Sequence, residues 1–100
     1  MTKRFSEVDG SEEVVLTYDF TNGLAAGETL LTPAVEVVVT FGEDPQAASI
    51  VGTPQVDGPR VLVPISGQKE PMDYKITVIC STSNPNKTLA LAGVLPVRAA

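Results

Sequence analysis

Histidine and tryptophan are absent from the 100 residues, and cysteine occurs once. Without histidine the chain lacks the side chain most often used as a general base, and the usual activator of a nucleophilic thiol or hydroxyl. Zinc and other soft-metal sites are excluded for the same reason, since their nitrogen and sulfur ligands reduce to Cys80. A single cysteine permits no intrachain disulfide, so folding without that staple, in a reducing cytoplasm, is expected. Cys80 itself reads as a small buried hydrophobe.

Positive charge is also scarce. Seven Lys and Arg stand against twelve Asp and Glu, a formal net charge of −5, and Lys3-Arg4 is the only adjacent basic pair. Such a surface offers no patch to neutralise phosphates, so no nucleic-acid partner is expected. No apolar run approaches the ~18 residues of a membrane-spanning helix. Met1-Thr2-Lys3-Arg4 leads into Phe5-Ser6-Glu7 rather than an apolar stretch, which predicts neither a signal peptide nor a membrane partner. Aromatic residues make up only 5%. The core must be built from Val, Leu and Ile, which suits strands.

What is present is alternation. In Tyr74-Lys75-Ile76-Thr77-Val78-Ile79-Cys80-Ser81, the residues Tyr74, Ile76, Val78 and Cys80 fall on one side of an extended chain. Lys75, Thr77, Ile79 and Ser81 fall on the other. A period of two with β-branched residues marks a strand that buries one face, and this one is long enough to be central in its sheet. Val14 to Phe20 repeats the pattern with Val14, Leu16, Tyr18 and Phe20 inward. Ala34 to Phe41 repeats it with Val35, Val37, Val39 and Phe41 inward, and Arg60 to Ile65 with Val61, Val63 and Ile65. Thr88 to Arg98 closes the chain with Leu89, Leu91, Leu95 and Val97 in phase.

The connections carry turn residues: Asn22-Gly23, Gly42 to Pro45, Asp57-Gly58-Pro59 and Asn84 to Lys87. A short helical turn is possible at Leu24-Ala25-Ala26. Ala48 to Val56 reads as one bent or bulged strand. Pro33, Pro64 and Pro96 suggest edges or breaks, because proline cannot donate to a ladder, and Gly93 suggests a bulge. Residues 1–12 form an N-terminal arm or a short first strand, with docking onto a neighbouring molecule as one possibility. Residues 13–100 form a single domain. About seven strands with regular turns predict an all-β, immunoglobulin-like antiparallel sandwich, with a small closed barrel as the alternative. Tyr74, near the start of a late strand after a Gly- and Pro-containing link, resembles the tyrosine corner of such sandwiches. The alternative is an ordinary core aromatic.

Catalytic and cofactor fingerprints are missing: no Gly-x-Ser-x-Gly, phosphate-cradling loop or dinucleotide motif occurs. The acidic groups at Asp9 to Glu13 and Glu43-Asp44 do not follow a calcium-loop spacing. Asn86-Lys87-Thr88 matches a glycosylation acceptor, a triplet common by chance. The expectation is therefore a non-enzyme without cofactor or metal. Chemistry gives way to surface. Val15, Val38, Leu62, Ile79 and Val94 fall on faces assigned outward, and Phe5 and Val8 are the large apolar groups of the arm. These seven residues form the candidate interaction surface, since clustered exposed apolar groups mark partner sites.

Two pieces of the chain resemble a family of small bacteriophage virion proteins. Glu13 to Phe20 followed by Leu24-Ala25-Ala26-Gly27-Glu28-Thr29-Leu30 is similar to their opening strand and the L-x-x-G-[DE]-T-[IL] turn after it. Tyr74 to Thr82, with Lys87-Thr88-Leu89 and Leu95-Pro96-Val97-Arg98, is similar to their closing hairpin. Together these cover a little over half the chain in the family's order. The resemblance implies a non-enzymatic immunoglobulin-like structural component of a virion. It would act in capsid decoration or cementing, in a head fibre, or at the neck or tail. It would fold in the host cytoplasm, be present in multiple copies or as a homo-oligomer, and have the major capsid protein or other virion proteins as partners. The competing expectation is an immunoglobulin-like module that binds protein or glycan through loop tips such as Asn22-Gly23 or Asn84 to Lys87.

Overall fold

A computed structural model describes residues 2–99, with side chains from Lys3 onward; Met1 and Ala100 lie outside the described residues. Seven strands run in the order β1 (Thr2–Arg4), β2 (Val14–Asp19), β3 (Leu30–Phe41), β4 (Gln55–Asp57), β5 (Arg60–Ile65), β6 (Met72–Thr82) and β7 (Thr88–Val97). They form two sheets, β1-β7-β6-β3 and β2-β5-β4. Every pairing is antiparallel except β1 with β7. The chain is thus an immunoglobulin-like sandwich in which the first strand lies beside the last one rather than beside β2.

The alternating strand that the sequence singles out is β6. It sits between β3 and β7, with buried and half-buried residues alternating along its whole length. Tyr74, Ile76, Val78 and Cys80 are fully buried, and Val61, Val63 and Ile65 of β5 face them from the opposite sheet. Each β-branched side chain here removes its apolar area from water, about 1.5–3 kcal/mol per residue before entropy is counted. The core is aliphatic, as the composition requires. The Tyr18 hydroxyl crosses it, donating from β2 to the Ile76 carbonyl on β6 at 2.8 Å.

Several local expectations are corrected. At the N-terminus the short-first-strand alternative is the one seen. Residues 2–8 dock on their own chain: the Phe5 amide donates to the Val94 carbonyl, and the Val8 amide to the Pro96 carbonyl. Phe5 and Val8 are half-buried against the core. Both therefore pack on their own domain rather than projecting as a free arm.

Gly93 marks no bulge, since β6 and β7 keep one register from Met72↔Val97 to Ser81↔Thr88. Its missing side chain leaves room for the Phe5 ring. Pro96 is buried rather than at an exposed edge, because the arm covers that side of β7.

Phe41 is exposed rather than inward. Val39 pairs with Tyr74 but Phe41 pairs with Asp73, so one extra residue is spent between them and the phase flips. Pro33 does not break β3, which runs through it with an irregularity between Leu30 and Pro33.

The segment from Ala48 to Val56 is not one strand. Ala47–Ile50 forms a 3-10 turn, Val51 makes a single bridge to Ile65, and β4 begins at Gln55. Likewise the helical turn before β3 lies at Thr21–Gly23, not at Leu24–Ala26.

Pro64 lies in β5, the middle strand of its sheet. Its carbonyl accepts from the Gly52 amide, and a residue's N–H and C=O point to the same side of a strand. The missing donor therefore faces the segment before β4, where the ladder has already ended.

Candidate interaction surface

Tyr74 anchors the turn that leads into β6. Its ring is fully buried, and its hydroxyl accepts from the Lys69 amide at 3.0 Å and donates to Asp44 Oδ2 at 2.8 Å. This is the corner arrangement, with a buried carboxylate added. Asp44 Oδ1 accepts from the Gln46 amide, which fixes the start of the Ala47–Ile50 turn. Lys69 Nζ stands 3.9 Å from the same carboxylate but is 59% exposed. An exposed pair at that distance contributes at most about 1 kcal/mol, whereas a charge-assisted buried hydrogen bond is worth about 1.5–3 kcal/mol. Tyr74, not Lys69, therefore holds Asp44. Burial, reinforced by the Asp44 charge, pushes the Tyr74 hydroxyl up to about 12. Burial also raises the Tyr18 hydroxyl and the Cys80 thiol above their ordinary ranges.

These perturbed groups are structural. Cys80 is buried in the core, and both tyrosines donate to fixed acceptors inside the protein. One surface hollow is lined by Lys3, Thr17, Asp19, Arg60 and Leu91. Its carboxylate is already engaged: Asp19 accepts from the amide and hydroxyl of Thr21, which hold it below the usual carboxylate range. Among the described residues no group of three or more His, Cys, Asp or Glu is placed to hold a metal.

The outward apolar residues separate onto two faces. Val15 and Leu62 lie on the outer side of β2 and β5, where Val15 pairs with Pro64 and Thr17 with Leu62. With Thr53 and Gln55 they line a shallow depression. Val38, Ile79 and Val94 lie on the outer side of the other sheet. There Val38, Lys75 and Val94 form one row across three strands, and Ala34, Ile79 and Ala90 another. Val15 is 60% and Val38 56% exposed, while Leu62, Ile79 and Val94 are half-buried by their neighbours. The sequence-based set is therefore not one patch.

Two residues missing from that set are just as exposed: Leu31 at 54% and Phe41 at 53%. Both lie on β3 beside its register irregularities, where period-two counting assigns the wrong side. Phe41 turns toward Arg98, whose guanidinium stands 5.3 Å from the ring centroid. Arg98 in turn contacts Asp73 at 3.0 Å and donates to the Met72 carbonyl at 2.7 Å. β3 thus concentrates exposed apolar side chains at the rim of the larger sheet. The signal for this was the run Val37-Val38-Val39, which leaves valine on both faces of one strand.

The loops are differently made. Thr82 Oγ1 contacts the carbonyl oxygens of Asn84 and Lys87 and accepts from the Asn84 amide. Asn84 Oδ1 accepts from the Asn86 amide, and Lys87 Nζ bonds Glu28 at 2.7 Å. Their polar groups are largely used in shaping the turn. No protein-family model matches the chain, no curated protein matches it in sequence, and no solved structure matches it.

Proposed function

We propose that this chain is a non-enzymatic structural component of a bacteriophage virion, and within that class a capsid-associated decoration or cement protein. The observation that carries the reading is the placement of exposed apolar side chains on rigid strands. Val15, Leu31, Val38 and Phe41 are each more than half exposed, and all stand on or beside paired backbone rather than on loop tips. Surfaces of that kind suit repeated contacts with fixed neighbours, because little ordering entropy is lost when they dock. The resemblance of Glu13 to Leu30 and of Tyr74 to Arg98 to virion modules supplies the biological class. The engagement of the Asn84 to Lys87 polar groups within their own turn favours this reading over ligand capture by loops.

The test is binding to purified capsid shells of the phage that encodes the chain. Saturable binding is expected, with Val15→Lys or Val38→Lys weakening it and Asn22→Ala with Asn84→Ala leaving it intact. Loss through the loop changes alone would instead favour a loop-binding module. Absence of binding to shell, neck and tail preparations alike would remove the virion assignment.

A further inference from the structure

The longest strand of the fold, β3, is also the outer strand of its sheet, and one side of its backbone is unpaired. The direction of each group follows from the register. The β7 carbonyls of Val94 and Pro96 receive the amides of Phe5 and Val8, so they face the arm. Backbone groups alternate sides along a strand, so Gly93 and Leu95 bond β6 through Ile76 and Tyr74. Lys75, Thr77 and Ile79 are then left to bond β3, where their partners are Val38, Glu36 and Ala34. The groups left on the free side are the N–H and C=O of Val35, Val37 and Val39. Among the described residues no backbone hydrogen bond from another segment reaches them.

The other edge strands are shorter: β1 and β4 are three residues each and β2 is six, half the length of β3. β3 has twelve residues, a single charge at Glu36 and a proline only at Pro33. Unpaired edges of this length without a central lysine or proline are open to pairing with another strand.

We infer that this edge pairs with the same edge of a second copy, antiparallel and two-fold, with Val37 opposite Val37 and Val35 opposite Val39. All three exposed donors and acceptors of each copy are then used, giving about six backbone hydrogen bonds. The outward face selects the same register. Val38 of one copy lies opposite Glu36 of the other, so the row across the joined sheet reads Lys75, Val38, second-copy Glu36, second-copy Thr77. Lys75 and Glu36 make no side-chain hydrogen bond or ion pair among the described residues of the single chain. In the pair they flank Val38 two strand spacings apart, about 9.6 Å, a span their side chains can close over the valine. The two-fold axis creates this contact twice.

Neighbouring registers are worse. A shift toward Pro33 sets Glu36 directly against Glu36 and places the donorless proline opposite Val39. A shift toward Phe41 runs the pairing into the irregularity after Val39. Like charges directly opposite are destabilising, and a broken ladder forfeits bonds. The pairing rests on the β3 edge and not on the virion assignment, so shell binding and self-association succeed or fail separately.

The experiment is sedimentation velocity of the full chain across a concentration series, with circular dichroism to show that each variant is folded. A concentration-dependent dimer is expected. Glu36→Lys and Lys75→Glu should each weaken it about tenfold, by setting like charges across Val38. The double variant Glu36→Lys with Lys75→Glu should recover it. Val37→Pro removes the central donor on the open side and should abolish the dimer while the β6 ladder persists. Monomer alone up to about 1 mM overturns the proposal. So does a dimer indifferent to Glu36→Lys and Val37→Pro, or one that the double charge exchange fails to restore.

Discussion

The Phe5 ring occupies the space that a side chain at Gly93 would fill. A Cβ built there would stand 2.2 Å from Phe5 Cε2, well inside contact distance. The same ring meets Tyr18 edge-on, with centroids 5.4 Å apart, and Tyr18 donates to Ile76, the register partner of Gly93. One missing methyl group therefore lets the N-terminal segment close the open side of the sandwich.

Gly93→Ala should expel the Phe5 ring and loosen residues 2–8. A cost of about 1–3 kcal/mol is expected from overpacking, and Phe5→Ala should cost about 2 kcal/mol from lost burial. Because both changes act on one contact, the double variant should cost clearly less than the two together. Urea titration of the four proteins measures the cycle, and proteolysis ahead of Asp9 should accelerate in Gly93→Ala.

Tyr74→Phe keeps the buried ring but removes the hydroxyl between Lys69 and Asp44. Leaving the Asp44 carboxylate with one fewer donor should cost about 1.5–3 kcal/mol in denaturant titration. The hydroxyl is raised from 10.0 to about 12 in the folded chain. Its contribution is therefore complete below pH 10 and is lost as pH rises through about 12, since the unfolded chain ionises first. The alkaline fall in stability should be shallower in Tyr74→Phe.

At acid pH the sign reverses. Lys87, the nearest cause, and the Ala25 amide hold the Glu28 carboxyl below its ordinary 4.5, and Thr21 hydrogen bonds hold Asp19 below 3.8. Depressed carboxylates stabilise the fold above their unfolded pKa and lose that effect as pH falls through the folded one. Stability should therefore decline below about pH 4.5, and Glu28→Gln should flatten that decline. Thermal melts of both proteins in parallel across the acid range test this.

Strand identity and facing were largely legible in the residues. Tyr74 to Ser81, Val14 to Phe20 and Arg60 to Ile65 each state their buried face by alternation alone, because a side chain's side in a strand is fixed by parity. The corner tyrosine was legible too, since Gly67 and Pro71 precede it in the link. Parity also explains the failures. A single extra residue between Val39 and Phe41 reverses the phase, and period-two counting does not see it; Phe41 then lies outside the core, beside Arg98.

Gly93 and Pro96 were misread together for a different reason. Their local chemistry permits a bulge and an edge, but the Phe5 ring, from 88 residues away in sequence, fills the space beside Gly93, and the Val8 amide bonds the Pro96 carbonyl. Likewise the outward valines could be counted from the chain, whereas their division between two opposite faces follows from which strands share a sheet. Sequence by itself determined an aliphatic two-sheet sandwich without disulfide, because composition and alternation act residue by residue. Tertiary structure alone decided that the arm packs on its own domain and that β3 lies at the edge of its sheet, because strand order and long-range packing are properties of the assembled chain.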